Sequence, residues 1–505
     1  MAMQQWLLLG ILLVLATSLA QTAPAAANDV PANFNRTAFP KNFLFGAASS
    51  AYQYEGAFNR GKCIFDTYFH KFPNITPDSS NGDVGDDFYH RYKEDIQRMK
   101  KQGLNSFRMS ISWPRVLPYG KLSRGVSKEG IKFYNDVIDE LLANGITPFV
   151  TIFHWDVPQT LADEYGGFLS YNITHDFQDF AELCFKEFGD RVKYWLTVNE
   201  PYVFTVSVYQ LGALVPERCL GVTSPDCPTS DASTPYTIGH NILLSHAKAV
   251  RLYKRKYQPI QKGEIGITLV TQWMVPYNNK SNLDYRAARR ALDFMYGWFF
   301  HPIVYGDYPR DMRNIVRKRL PKFTPEESAS LRGSYDFIGL NYYTTNYAAH
   351  VPFDNSAPVS FDADPHANTT TSRNGVPIGT PTGVTTFFSV PWGLRDLLIY
   401  TKEHYKNPVI YITENGMGDY NNQTVNEGIK DPQRIDFYYH HLMAVKEAIS
   451  KGVRVKGYIA WSFLDTFEWG AGFTYRFGLN FVDYTNNLKR TAKASAHWFQ
   501  KFLLK

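Results

Sequence analysis

Cysteine is scarce in this chain, with four residues in 505, which excludes a small scaffold held together by disulfides. Charge of one sign is scarce too. A formal net charge of +6 is what remains of 53 basic and 47 acidic side chains, and the densest basic run, RLYKRKY at residues 251–257, reads as a solvated helix face. Nucleic acid is therefore not an expected partner. Long apolar runs are missing beyond the N-terminus, so no membrane span is expected. The spacings of metal sites are missing as well: there is no His-x-His, no His-Glu-x-x-His and no Cys-x-x-Cys, and the adjacent His440 and His441 point in different directions on a helix. No metal and no cofactor is expected. A Gly-x-Ser-x-Gly turn is absent, and no Gly-rich phosphate turn follows the first apolar run.

What is present points to a large folded core. The chain is 44% hydrophobic and 16% aromatic, too apolar for disorder as its main state. The leader WLLLGILLVLA at residues 6–16 has the length of a signal-peptide apolar region and is too short to span a bilayer. Small residues follow, with cleavage expected after Ala20 or Ala27, although MAMQQ lacks the usual positive charge. Residues 1–27 are read as a signal peptide and small-residue segment, and residues 28–505 as one domain. Six Asn-x-Ser/Thr sequons, at Asn35, Asn74, Asn172, Asn279, Asn368 and Asn422, agree with a secretory route. Cys219 and Cys227 lie in the loop-like ERCLGVTSPDCPTS and are expected to form a local bridge, while Cys63 and Cys184 are expected free and buried. The C-terminal KFLLK is no retention signal. The expected destination is extracellular, at the cell wall or in the vacuole; a homodimer is left open.

Eight short apolar runs recur along the chain: FLFGAAS, SFRMSISW, PFVTIFHW, YWLTVNE, EIGITLVTQW, DFIGLNYYT, PVIYITENG and VKGYIAWSFLD. Between them lie amphipathic segments such as DDFYHRYKEDIQRMKKQG and RIDFYYHHLMAVKEAISKG, closed by glycines suited to a helix C′ position. Strand alternating with helix calls for parallel strands and right-handed crossovers, and near-continuous apolar strands suit a sheet covered on both faces. The fold class expected is α/β: a closed (β/α)₈ barrel, one domain with elaborated loops after strands one, four, five and six.

In such a barrel, chemistry sits at the C-terminal strand ends. There the sequence places Gln53 and Glu55, Arg108, His154 and Trp155, Asn199 and Glu200, Trp273, Asn341 and Tyr343, Glu414 and Asn415, and Trp461 with Glu468 and Trp469. One polar residue at a strand end is most simply a helix cap; so many together are not. Arg108 lies within an apolar strand and needs a carboxylate, Glu414 or Glu200. Two glutamates among amides and indoles suit a sugar: hydrolysis of a glycoside needs one carboxylic acid to protonate the leaving oxygen and one carboxylate near C1.

The motifs TVNEP (197–201), YITENG (411–416), YQYEG (52–56), FHWDVP (153–158), GLNYY (339–343) and FEWGAGFTYRFGL (467–479) resemble glycoside hydrolase family 1, most closely its plant β-glucosidases, in order from about Phe39 to the C-terminus. The resemblance implies a retaining double displacement on a small-molecule glycoside, with Glu414 as nucleophile and Glu200 as acid and then base. It implies that Asn199 bonds the 2-hydroxyl, that Arg108 and Tyr343 hold Glu414, and that Gln53, His154, Asn341, Trp461, Glu468, Trp469 and Phe477 belong to the substrate pocket. Trp392 matches the aglycone platform. Family myrosinases carry glutamine at the acid position; Glu200 favours an O-glycosidase. The chain departs from the family pattern at CIFD (63–66), Val198 and Thr466. It is also similar to plant diglycosidases that release a 6-O-linked disaccharide whole, and the small Gly470 and Ala471 leave that alternative standing. Transglycosylation and an inactive sugar-binding homologue are the remaining alternatives.

Overall fold

The computed structural model describes residues 34–57, 59–211, 232–354 and 360–504. Eight strands alternate with helices in the order expected: β1 Leu44–Ala48, β2 Ser106–Ser110, β3 Thr147–Phe153, β4 Tyr194–Asn199, β5 Glu264–Val270, β6 Phe337–Asn341, β7 Ile410–Asn415 and β8 Val455–Ala460. Each pairs in parallel with its sequence neighbours, and β8 pairs with β1, so the sheet closes. Closure removes every free edge and leaves two layers of core. The outer layer packs strand residues such as Ile152, Trp195 and Ile412 against the helices. The inner one fills the N-terminal half of the barrel with rings: Phe149 stacks on Tyr194 at 4.9 Å and meets Tyr411 at 5.1 Å, beside Phe337. That plug leaves the opposite end of the barrel for polar side chains.

The helices follow the amphipathic segments. The helix Lys128–Ala143 starts at Ser127, whose Oγ accepts from Gly130 N at 3.0 Å, and buries Phe133, Val137, Ile138 and Leu141. Gly103 and Gly452 close their helices at φ +77° and +83°, a conformation that costs glycine little. Gly189 instead stays right-handed at φ −74°. The basic run at 251–257 is tied locally, with Lys254 2.8 Å from Asp336 and Lys256 2.5 Å from Glu182.

Two expectations need correction. The run EIGITLVTQW is not one strand: β5 ends at Val270, and Trp273–Pro276 leaves the barrel to join Thr345–His350 and Ala367–Thr370 in a three-stranded sheet. Trp273 consequently packs on Tyr400 (5.5 Å) rather than at the barrel mouth. Part of the polar stretch 353–381, read as loop, is likewise strand and hairpin, because side chains of this composition can pair at the surface where no core pattern is required. Cys63 and Cys184 are free and buried. Cys219, Cys227 and residues 1–27 lie outside the described residues. No helix among the described residues is long and apolar enough to cross a membrane.

Candidate active site

Glu414 closes β7 and is 4% exposed. Its Oε1 accepts a short hydrogen bond from Arg108 Nη1 and its Oε2 accepts from the Tyr343 hydroxyl at 2.6 Å. Arg108 is itself fully buried on β2, so of the two glutamates open to it, Glu414 is its partner. A buried guanidinium and carboxylate that face each other avoid the penalty of either charge alone. β7 reaches this geometry through a register shift between Ile412 and Glu414, which re-aims the strand end.

Glu200 is built differently. β4 ends at Asn199, Pro201 opens the helix Pro201–Leu211, and Glu200 between them sits at φ +42°. Its backbone does cap the helix, since Phe204 N donates to its carbonyl at 3.1 Å, and its side chain turns into the barrel. Asn341 Nδ2 donates to its Oε1 at 2.6 Å. Burial first, and then the nearby Glu414 charge, push its pKa up to about 8, so the group holds its proton near neutrality.

Arg108 also sets the polarity of its neighbours. A guanidinium only donates, so Asn199 turns Oδ1 toward Arg108 Nη2 (2.6 Å) and its Nδ2 toward His154 Nε2 (3.0 Å). His154 Nε2 must then accept, which leaves the ring proton on Nδ1. That nitrogen is buried with no partner among the described residues, and burial together with Arg108 pulls the pKa of His154 well down. His154 is therefore a neutral ring with a donor that no protein group among the described residues uses.

Aromatic faces line the same space. Trp469 stacks on Tyr52 (5.5 Å, 12°) and meets Trp155 at 4.6 Å, while Trp461 and His154 lie nearly parallel at 6.3 Å. Trp155 is fixed by donating from Nε1 to Asn199 O at 2.8 Å. Phe477 packs edge-on to Tyr343 at 6.2 Å. Gln53 Nε2 donates to Phe467 O at 2.6 Å and lies 3.4 Å from Glu468 Oε2. Glu468 is pushed well up, by burial first, and its Oε1 is buried with no partner among the described residues. Trp392 is the second residue of the helix Pro391–His404 and is 38% exposed, at the surface.

Asn341 differs from the expectation of a sugar ligand: it is fully buried, and its amide is committed to Glu200, to Asn199 Oδ1 (3.3 Å) and to Thr413 Oγ1 (2.7 Å). Glu55 lies outside the mouth, held by Arg115 (2.8 Å) and Tyr134 (2.7 Å). The departures from the family pattern are absorbed locally. Phe65 of CIFD packs on Trp469 at 4.9 Å, and the Thr466 hydroxyl donates to Gln53 O at 2.7 Å. Thr413 was not read from the sequence; a lone Thr in a strand signals only β propensity. Among the described residues no His, Cys, Asp and Glu side chains gather in threes to hold a metal.

Residues 35–505 match the family model of Glycosyl hydrolase family 1. The chain belongs to that family. This glycoside hydrolase is 53% identical over 511 residues to Beta-glucosidase 12 of Oryza sativa subsp. indica, covering 100% of this chain and 99% of the relative. It is 50% identical over 506 residues to the isoflavonoid 7-O-β-apiosyl-glucoside β-glycosidase of Dalbergia nigrescens, covering 98% and 91%. Among solved structures it superposes with a TM-score of 0.90 on a variant rice β-glucosidase in covalent complex with Glc, at 43% identity, covering 94% of this chain and 100% of that one.

Proposed function

We propose that this glycoside hydrolase cleaves β-D-glucosides of plant secondary metabolites with retention of configuration. A carboxylate oxygen of Glu414 attacks C1 while the glycosidic C–O bond breaks and the proton of Glu200 passes to the leaving oxygen. Water then attacks C1, gives its proton to Glu200 and releases Glu414. The observation that carries the assignment is the unequal surroundings of the two carboxyls. Glu414 accepts hydrogen bonds from a guanidinium and a phenol, which hold and aim its carboxyl at C1, whereas Glu200 is buried beside it and keeps the proton an acid needs. His154, Gln53 and Glu468 offer hydrogen-bonding atoms to sugar hydroxyls, Trp461 and Trp469 offer faces to the ring, Asn199 bonds the 2-hydroxyl, and Trp392 stacks the aglycone. The covalent Glc complex of the rice enzyme supports the two-step scheme. Glu414→Gly should abolish turnover and regain it with azide, giving the α-glucosyl azide; no rescue would remove Glu414 as nucleophile.

A second reading is favoured by one position. A Cβ at Gly470, next to Trp469, would meet nothing within 4 Å, so space remains for a second sugar on the glucose 6-hydroxyl, and the apiosyl-glucoside enzyme is a 50% identical relative. On a 6-O-xylosyl glucoside, release of the intact disaccharide supports this reading, and stepwise release of monosaccharides overturns it.

The apolar leader and the exposed sequons at Asn74, Asn172, Asn279, Asn368 and Asn422 support a secretory route to the extracellular space, cell wall or vacuole. Asn35 is half-buried, with Oδ1 accepting from Thr37 N at 2.9 Å. A loss of mass on deglycosylation of the plant-expressed protein is the expected result.

A further inference from the structure

We propose that the chain carries a second binding site, a basic cavity outside the helical layer that holds an acidic polysaccharide through its carboxylates. The choice of polymer rests on the secretory route proposed above; the cavity itself does not.

A cavity of about 1300 Å³ opens among the helices Trp298–Tyr305, Arg310–Val316 and Pro325–Leu331. None of the residues lining it belongs to the barrel mouth. Its wall carries Arg313, Arg317, Lys318, Lys322 and Arg332 against one acid, Asp307. Asp307 is paired with Arg313 at 2.7 Å, and the nearby Glu327 turns its Oε2 to Thr324 N at 2.9 Å. The other four cations are exposed and have no acidic partner among the described residues. Basic groups close by are neutralised instead: Arg319 lies 2.5 Å from Asp364 and Lys254 2.8 Å from Asp336. Unpaired positive charge is therefore concentrated on this cavity, where the summed field attracts anions.

The two guanidinium groups are already set for a carboxylate. Arg317 Nε donates to Asn314 O and Arg332 Nε donates to Tyr305 O, each at 3.2 Å. Both groups are thus held from behind, and their terminal nitrogens have no partner among the described residues. Gly306 leaves room for this at φ +87°, since a Cβ there would lie 3.2 Å from Arg332 Nε and 2.7 Å from Ser328 Oγ. Two parallel N–H groups match the two oxygens of a carboxylate, and a fork fixed beforehand loses less freedom on binding. Lys318 and Lys322 add mobile point charges. The rings at the site are engaged within the protein, Phe323 stacking on Tyr308 at 4.6 Å and Lys406 lying 5.1 Å over Tyr305. Stacking of unpaired bases is thereby disfavoured. A chain of uronate units, which needs only forks and repeated positive charge, fits the cavity and the route to the cell wall. Bound there, it leaves the mouth open to glucosides.

The test measures equilibrium binding of the purified protein to immobilised polygalacturonate at pH 6. Binding at 50 mM NaCl should weaken at least about tenfold at 200 mM. Arg317→Gln/Lys318→Gln/Lys322→Gln/Arg332→Gln should weaken it at least about tenfold at 50 mM, with hydrolysis of phenyl β-glucoside within about twofold. Lys100→Gln/Lys101→Gln/Lys446→Gln/Lys501→Gln takes the same four charges from exposed sites on other helices and should bind within about twofold of the unsubstituted protein. If the first variant does not fold, Lys318→Gln/Lys322→Gln gives the same measurement with a loss of about threefold. Unchanged binding by the cavity variants overturns the proposal, as does an equal loss in both fourfold variants or equal binding to the fully methyl-esterified polymer. Tighter binding to single-stranded DNA than to polygalacturonate overturns it in favour of a nucleic-acid surface. Deglycosylation without loss of mass would remove the secretory route and leave the measured cavity; unchanged binding by the cavity variants would remove the cavity and leave the route.

Discussion

The ends of β4 and β7 carry the same two residue types in opposite order, Asn199-Glu200 and Glu414-Asn415, and treat the glutamate in opposite ways; Asn415 itself is turned to Tyr342 O and the Tyr458 hydroxyl. Both strand ends carry a register shift, between Leu196 and Asn199 and between Ile412 and Glu414. At β7 the carboxyl gains a buried cation and a phenol. At β4 it gains a single amide, a proline-led helix and the electrostatic pressure of the other glutamate. Glutamate is the same acid at both places; the neighbours aim the carboxyl at β7 with two donors and keep the proton on the one at β4 by burial.

The largest test of that difference uses the pair Glu414→Gln and Glu200→Gln on glucosides of graded leaving ability. Glu414→Gln should lose roughly 10⁴-fold or more on every substrate, since no nucleophile remains. Glu200→Gln should lose about 10²- to 10⁴-fold on phenyl glucoside and far less in kcat/KM on dinitrophenyl glucoside. Identical profiles would erase the distinction.

A smaller effect sharpens the β7 side. Tyr343→Phe removes one hydrogen bond to a carboxylate, worth about 1.5–3 kcal/mol, and should lower kcat/KM by roughly 10- to 100-fold without changing its leaving-group dependence. A leaving-group-dependent loss would place Tyr343 with the acid.

The smallest effect lies in stability on the β4 side. Glu200 is raised from 4.5 to about 8 in the fold. A carboxyl raised in this way favours the folded state below its ordinary value, and that contribution is lost as pH climbs from about 4.5 toward 8. Glu200→Gln has no charge to bury. Its Tm relative to the unsubstituted protein should therefore rise by a few degrees between pH 5 and pH 8, reflecting a difference on the order of a few kcal/mol. A constant Tm difference would mean that Glu200 is not held protonated by its surroundings.

Much of this was legible along the chain. Parallel strands covered on both faces read as apolar runs, so β1 to β8 were each visible, and the glutamates stood out because Pro201 and Gly416 stop the apolar pattern beside them. The change of course after Val270 is not legible, because only Thr271 and Gln272 separate β5 from Trp273–Pro276 and periodicity carries no mark for a strand that changes sheets. Asn341 illustrates the other limit: an amide at a strand end looks like a sugar ligand until its three protein partners are known.

The sequence by itself determined the class of fold and the family, because these depend on residue type and order. The tertiary structure alone decided which glutamate Arg108 faces, that Asn199 donates to His154, and that the Asn341 amide is committed to Glu200, Asn199 and Thr413. Those are choices between alternatives that are equivalent along the chain. Strand closure brings β2, β4, β6 and β7 to one mouth, where a donor that cannot accept fixes the direction of the hydrogen bonds around it.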